Sequence, residues 1–182
     1  MTQRYTSEQI ETLFDIIKSR RSIRKFSSQM PEKWQLEKVI EAGMWAPSGH
    51  NKQPWAFIVV TDEATKVALA KDNAAFCDFE TLNPFYNAPV YIIVLARKDS
   101  RTYLYDGALA IGQMMVVAHA LGLGTCWIHR ARQTFEMAKW QTWLKTLGFE
   151  GEYEGIGHLA IGYPDCELPN PRPRAEGLVR FV

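Results

Sequence analysis

A layered α/β sandwich is the fold class predicted for this chain of 182 residues, on three observations. Apolar residues recur with helical and strand periods in alternation, which calls for helices packed on a sheet. The chain opens on a helix and closes on a long proline-rich tail, and no G-x-G-x-x-G follows a strand, so a doubly wound dinucleotide fold is disfavoured. No repeat, low-complexity linker or composition break divides it, and 1–182 reads as a single domain. A chain of this length buries roughly 70% of its unfolded surface, enough for one core.

The elements run in order from the N-terminus. Ile10, Leu13, Phe14 and Ile17 fall at i, i+3, i+4, i+7 behind Thr6-x-x-Gln9, a capping-box pattern, and predict an amphipathic helix ending near Ser19. A second helix starts after Pro31, with Leu36, Val39, Ile40, Gly43 and Met44 on one face, and stops at Pro47 and Gly49. Residues 56–60 are β-branched and bounded by Pro54 and Asp62, which predicts a buried strand. A short helix over 63–69, an aromatic-rich loop over 76–89 and a second buried strand over 90–95 come next. Residues 103–121 are apolar on nearly every face and form the central helix of the fold or of an interface, ended by Gly122. Within it Met114, Met115 and His119 read as packing residues, and His119 then needs a hydrogen-bond partner. A third strand over 125–128, a helix over 135–147 carrying Trp140 and Trp143 packed on one face, and a fourth strand over 155–163 complete the core. From Pro164 the prolines impose an extended tail, whose apolar end at 178–182 is expected to dock on a neighbour as an edge strand.

Charge and cysteine usage exclude several functions. Lys and Arg number 21 against 20 Asp and Glu, a net charge of +1, which argues against the broad cationic face of a nucleic-acid binder. The polar N-terminus lacks the apolar core of an export signal, and the cytoplasm is the expected location. Cys77, Cys126 and Cys166 are isolated from one another, which fits reduced thiols and no metal site. The longest run without formal charge, 107–129, has an apolar part shorter than the ~20 residues of a membrane span. No Ser/His/Asp order, zinc motif or P-loop is present.

Two segments carry chemistry. Residues 18–25, Lys-Ser-Arg-Arg-Ser-Ile-Arg-Lys, place five cations in eight residues with no acid, where the first helix ends. Guanidinium groups chelate phosphate through paired N–H donors, and Ser22 adds a hydroxyl. A solvated basic helix end explains the same composition. The turn Ala46-Pro-Ser-Gly-His-Asn-Lys-Gln-Pro-Trp55 concentrates side chains able to hydrogen-bond a polyhydroxylated chain or a heterocycle edge, and Pro47 and Pro54 stiffen it.

Together with Asp106-Gly-Ala-Leu-Ala-Ile-Gly112 and Gly122-Leu-Gly-Thr-Cys-Trp-Ile128, these segments resemble the FMN-dependent nitroreductase family, in the family's order, from about Ile16 to Arg174. The length resembles its short members, which lack a helical insertion. The resemblance implies an α+β fold, a three-layer α/β/α sandwich with a mixed sheet and an extended C-terminal tail. It implies a homodimer with one FMN in each site at the subunit interface. Carried over by position, Arg20 and Ser22 hold the FMN phosphate with Arg21 beside them, and Arg24 faces the flavin pyrimidine. Pro47, Ser48 and Asn51 come from the other subunit to the ribityl chain and ring edge. Backbone groups of Trp127, Ile128 and His129 lie beside flavin N5 and O4, and Arg172 and Arg174 return from the tail to the phosphate. The latter pair equally reads as solubilising an extended strand. The implied activity is reduction of a small oxidised acceptor, a nitroaromatic, quinone or related compound, by NADH or NADPH in a ping-pong sequence. No side chain is assigned as catalytic, and His50 and His129 read as structural. Flavin enzymes of this fold that dehydrogenate or dehalogenate, and a non-catalytic FMN-binding regulator, are the alternatives.

Overall fold

In the computed structural model, residues 4–77 and 83–182 are described. The capping box forms: Gln9 N–H donates to Thr6 Oγ1 and Thr6 N–H to Gln9 Oε1, opening α1 (Ser7–Ser19). Then come α2 (Lys33–Met44), a single 3-10 turn (Gly49–Asn51), β1 (Trp55–Val60) and α3 (Glu63–Ala74). The chain continues through β2 (Val90–Arg97), α4 (Tyr103–Ala120), β3 (Gly124–Ile128), α5 (Ala131–Glu136), α6 (Ala138–Thr146) and β4 (Tyr153–Gly162).

The four strands pair in the order β1-β2-β4-β3, antiparallel throughout. The parallel component expected of a mixed sheet is confined to one isolated bridge, Ser22 to Thr125. Strand alternation divides the core into two layers. On β2, Tyr91, Ile93 and Leu95 join Leu69, Phe135 and Trp140 on the α3/α5/α6 side. Val90, Ile92 and Val94 meet Val39, Ile111 and Met114 on the α2/α4 side. The result is the three-layer α/β/α sandwich.

Several expectations need adjustment. The first strand is an edge strand and only partly covered: Val60 alone is fully buried. The helix expected at 63–69 runs on to Ala74, since Asp72 and Asn73 find partners inside the fold, Trp140 Nε1–H donating to Asp72 and Asn73 Nδ2–H to the His129 carbonyl. The helix expected at 135–147 is two helices, broken where Met137 turns extended at ψ 132°. Of the aromatic loop at 76–89, residues 78–82 lie outside the described residues. The tail from Pro164 is extended as expected. Within one chain it joins no strand, and Phe181 is 98% exposed.

Met114 and Met115 pack in the core, and Trp140 and Trp143 meet edge to face at 5.2 Å. No helix among the described residues is long and apolar enough to cross a membrane, and no group of His, Cys, Asp or Glu among them is arranged to hold a metal ion.

Candidate functional site

The cation segment leaves α1 at Arg20, whose extended ψ of 136° carries the chain across the start of β3. Ile23 N–H donates to the Thr125 carbonyl at 2.9 Å, and the Ile23 side chain plugs against Gly124, where a Cβ would stand 2.8 Å from it. With that residue anchored inward, Arg20, Arg21, Ser22 and Arg24 face a common cavity. The tail closes the other side. Asp165 N–H donates to the Lys25 carbonyl, Lys25 pairs with Asp165 at 2.8 Å, and Arg21 Nε–H donates to the Pro169 carbonyl at 2.9 Å. Arg172 and Arg174 thereby join the first four residues around about 420 Å³, a space lined by five arginines and, among the described residues, no carboxylate.

The arginines differ in what they do. Arg21 Nη1 donates to the Lys18 and Arg20 carbonyls, so its guanidinium is a strut between helix end and tail. Arg20 Nη1 is buried with no hydrogen-bond partner among the described residues. Burial, then the charges of Arg21 and Arg174, hold the Arg20 guanidinium below its ordinary range. A buried charged donor without an acceptor is costly, and an anion in the cavity relieves it. Beside it, the Ser19 hydroxyl donates to the Asp15 carbonyl and accepts from His119 Nε2 at 2.8 Å, which supplies the partner His119 requires. Burial, then Arg20 and Arg21, hold that imidazole below its usual pKa.

Further along β3, Trp127, Ile128 and His129 border a second cavity of about 200 Å³ with Asn73 and Tyr86. The Trp127 ring turns inward over Gly157, where a Cβ would meet its Nε1 at 2.5 Å. Arg24 connects the two spaces, its guanidinium 6.0 Å from the Tyr86 ring centroid.

The loop holding Pro47, Ser48 and Asn51 lies elsewhere. His50, Asn51 and Gln53 stand at φ 52°, 54° and 46°, the left-handed region that non-glycine residues rarely occupy. Gln53 N–H donates to Ser48 Oγ at 3.0 Å and its amide to Asn51 Oδ1 at 2.9 Å. Gly49 N–H donates to Asp106 in the first turn of α4, whereas His119 marks the last turn of that helix. At 1.5 Å per residue the two ends lie about 20 Å apart. One chain therefore assembles Arg20, Arg21, Ser22, Arg24, Arg172 and Arg174, sets residues 127–129 beside them, and leaves Pro47, Ser48 and Asn51 remote.

The model of the Nitroreductase family matches residues 17–163. The chain belongs to that family. A relative from Archaeoglobus fulgidus, provisionally named an NADH dehydrogenase/NAD(P)H nitroreductase, is 36% identical over 87% of this chain and 88% of its own. An iodotyrosine deiodinase from Thermotoga neapolitana is 26% identical over 94% of this chain and 98% of its own. Among solved structures, a nitroreductase with bound FMN from Bacteroides fragilis superposes with a TM-score of 0.84 at 27% identity, covering 93% of this chain and 98% of that one.

Within this nitroreductase-family chain, sequence reading missed Tyr86, Asn73 and Asp106 as residues around the cavities and the loop. Tyr86 stands at φ 56°, held by a turn in which Phe85 N–H donates to Asn83 Oδ1 and Tyr86 N–H to the Asn83 carbonyl. The Asn-Pro pair at 83–84 was its one visible signal.

Proposed function

We propose that this chain is an FMN-dependent oxidoreductase that uses NADH or NADPH to reduce nitroaromatic, quinone or related acceptors, acting as a homodimer of single-domain subunits in the cytoplasm. The observation that carries the reading is the buried, unpartnered Arg20 Nη1 in a cavity of arginines drawn from both ends of the chain. Arg20, Ser22, Arg172 and Arg174 would chelate the phosphate, and Arg21 would hold the frame in which they stand. Arg24 would place positive charge at the pyrimidine edge, and the main chain at Trp127, Ile128 and His129 would line the opposite edge of the ring. FMN, when bound, supplies the two-electron redox chemistry, exchanged first with the nicotinamide and then with the acceptor in the ping-pong order.

Pro47, Ser48 and Asn51 would reach this site from a second copy. Two features support that. The loop lies at the far end of α4 from the arginines, and an apolar face of α1, α2 and α4 is exposed in the single chain. Leu13, Ile17, Trp45, Tyr105 and Leu109 crowd that face, Trp45 at 78% exposure, which is the character of a homodimer contact. The tail end at 178–182 is equally exposed, and the open edge of β1 on a second copy suits it.

Flavin absorbance of the purified protein, or its uptake of added FMN, tests the cofactor; protein that stays colourless in excess FMN rejects the reading. Anaerobic bleaching by NADH or NADPH tests the donor, and reoxidation by nitro, quinone and enone compounds tests the acceptor. The deiodinase relative favours reductive dehalogenation as a second reading. Release of iodide from iodotyrosine by the reduced protein, with sluggish turnover of nitro compounds, would select it.

A further inference from the structure

We infer that Asp106 is a positioning residue that shapes the loop each subunit lends to the flavin site of its neighbour. The inference rests on the proposed dimeric FMN site and concerns a side chain that does not itself face the arginine cavity. Asp106 is 3% exposed in the first turn of α4, and both its carboxylate oxygens are engaged. Oδ1 accepts the Gly49 N–H at 3.1 Å, and Oδ2 accepts the Thr102 hydroxyl at 2.8 Å. The loop backbone is seated hard on that pair. A Cβ at Gly49 would stand 2.3 Å from Thr102 Oγ1, so residue 49 has to be glycine for the contact to close.

The torsions just beyond Gly49 make such a clamp necessary. His50, Asn51 and Gln53 all hold positive φ, and a non-glycine residue persists there only where its surroundings over-determine it. The internal bonds from Gln53 to Ser48 and Asn51 fix the loop's shape, but they do not fix its place on the body. The Asp106 to Gly49 bond does, one residue after Ser48 and two before Asn51. Losing it frees the loop to relax its strained torsions, which moves the groups offered across the interface while leaving the arginine cavity of the same chain untouched.

The geometry gives the inference a direction that a plain stability role lacks. Arg20→Ala damages the site in its own subunit; Asp106→Ala damages the site in the other. Differently tagged chains carrying one substitution each, purified as the mixed dimer through both tags, should therefore regain a single tight FMN site built from the two undamaged halves. The readout is FMN titration by flavin fluorescence quenching, giving affinity and stoichiometry without turnover. The Asp106→Ala homodimer should bind FMN about tenfold more weakly, the loss expected for a buried hydrogen bond left unmade. Asp106→Asn keeps an acceptor for Gly49 N–H and should stay close to the wild type. Should Asp106→Ala fail to fold, Gly49→Ala, which displaces the same loop from Thr102, takes its place in the mixed dimer with the same expected recovery. A mixed dimer with no tight site places Asp106 in the wrong subunit's service and overturns the inference. So does an alanine homodimer with wild-type affinity. Wild-type protein that takes up no FMN fails earlier and overturns the functional reading beneath it, so the two failures are told apart.

Discussion

The two ends of α4 solve opposite problems. At its C-terminal end the arginine cavity has more donors than acceptors: Arg20 Nη1 is buried without a partner and the charges of Arg21 and Arg174 press on it. At its N-terminal end the 47–54 loop is internally satisfied, with Ser48, Asn51 and Gln53 bonded to one another, and carries its cost as backbone strain at His50, Asn51 and Gln53. The first region has donors to spare, as suits an anion. The second has its polar groups satisfied within the chain, by its own bonds and by Asp106, as suits a surface that another molecule must find already formed.

That contrast is broken most severely at Arg20. Arg20→Ala should weaken FMN binding by about 2 kcal/mol, roughly thirtyfold, since a charge-assisted contact is lost. Its melting temperature should stay or rise, because the unpartnered charge is gone. An unchanged FMN dissociation constant would reject the anion site. Acid should act most strongly on the sheet between them. His158 lies fully buried beside Phe85 and Phe135, with neither ring nitrogen bonded among the described residues, and burial pushes its pKa down to about 3. The neutral ring is the folded form, so this stability is complete above the ordinary value near 6.5 and drains as pH falls towards 3. At pH 5 the loss should be about 2 kcal/mol, checked by urea unfolding at pH 5 and 8, and His158→Phe should flatten that dependence.

Smaller effects separate the regions more finely. Arg21→Ala removes the strut to Pro169 and should cost about 1 kcal/mol of tail docking, seen as faster proteolysis after residue 165, with a smaller effect on FMN than Arg20→Ala. Equal losses of FMN would show that Arg21 also chelates. Least of all, His50→Gly releases a positive φ and should raise stability by about 0.5 kcal/mol in thermal melts. A lowered melting temperature would mean that the loop is not strained.

Much of the fold was legible in the sequence, for identifiable reasons. The cation run at 18–25 stands out because no acid dilutes it, and the capping box and the β2 run obey local rules that tertiary structure had no cause to override. The features that escaped depend on partners distant in sequence. Asn73 in the last turn of α3 looks like a helix end until the His129 carbonyl, on another element, accepts from it. The edge position of β1 comes from strand order, which periodicity does not encode. The Asn-Pro pair at 83–84 signals a turn but not a tyrosine at φ 56°, and the break at Met137 lies inside an unbroken helical pattern. The halves of the candidate site were legible separately, and their separation along α4 was not.

The reach of Arg21 from Lys18 to Pro169 also separates what builds the sandwich from what completes the cavity. Its guanidinium fastens carbonyls at the end of the first helix to one near the C-terminus, and Arg172 and Arg174 lie beyond that fastening. The core strands and helices all lie before residue 164, so the sandwich is built without the tail that walls one side of the arginine cavity. A chain cut short by a dozen or so residues should therefore keep the sandwich while losing Arg172 and Arg174 from the proposed phosphate site.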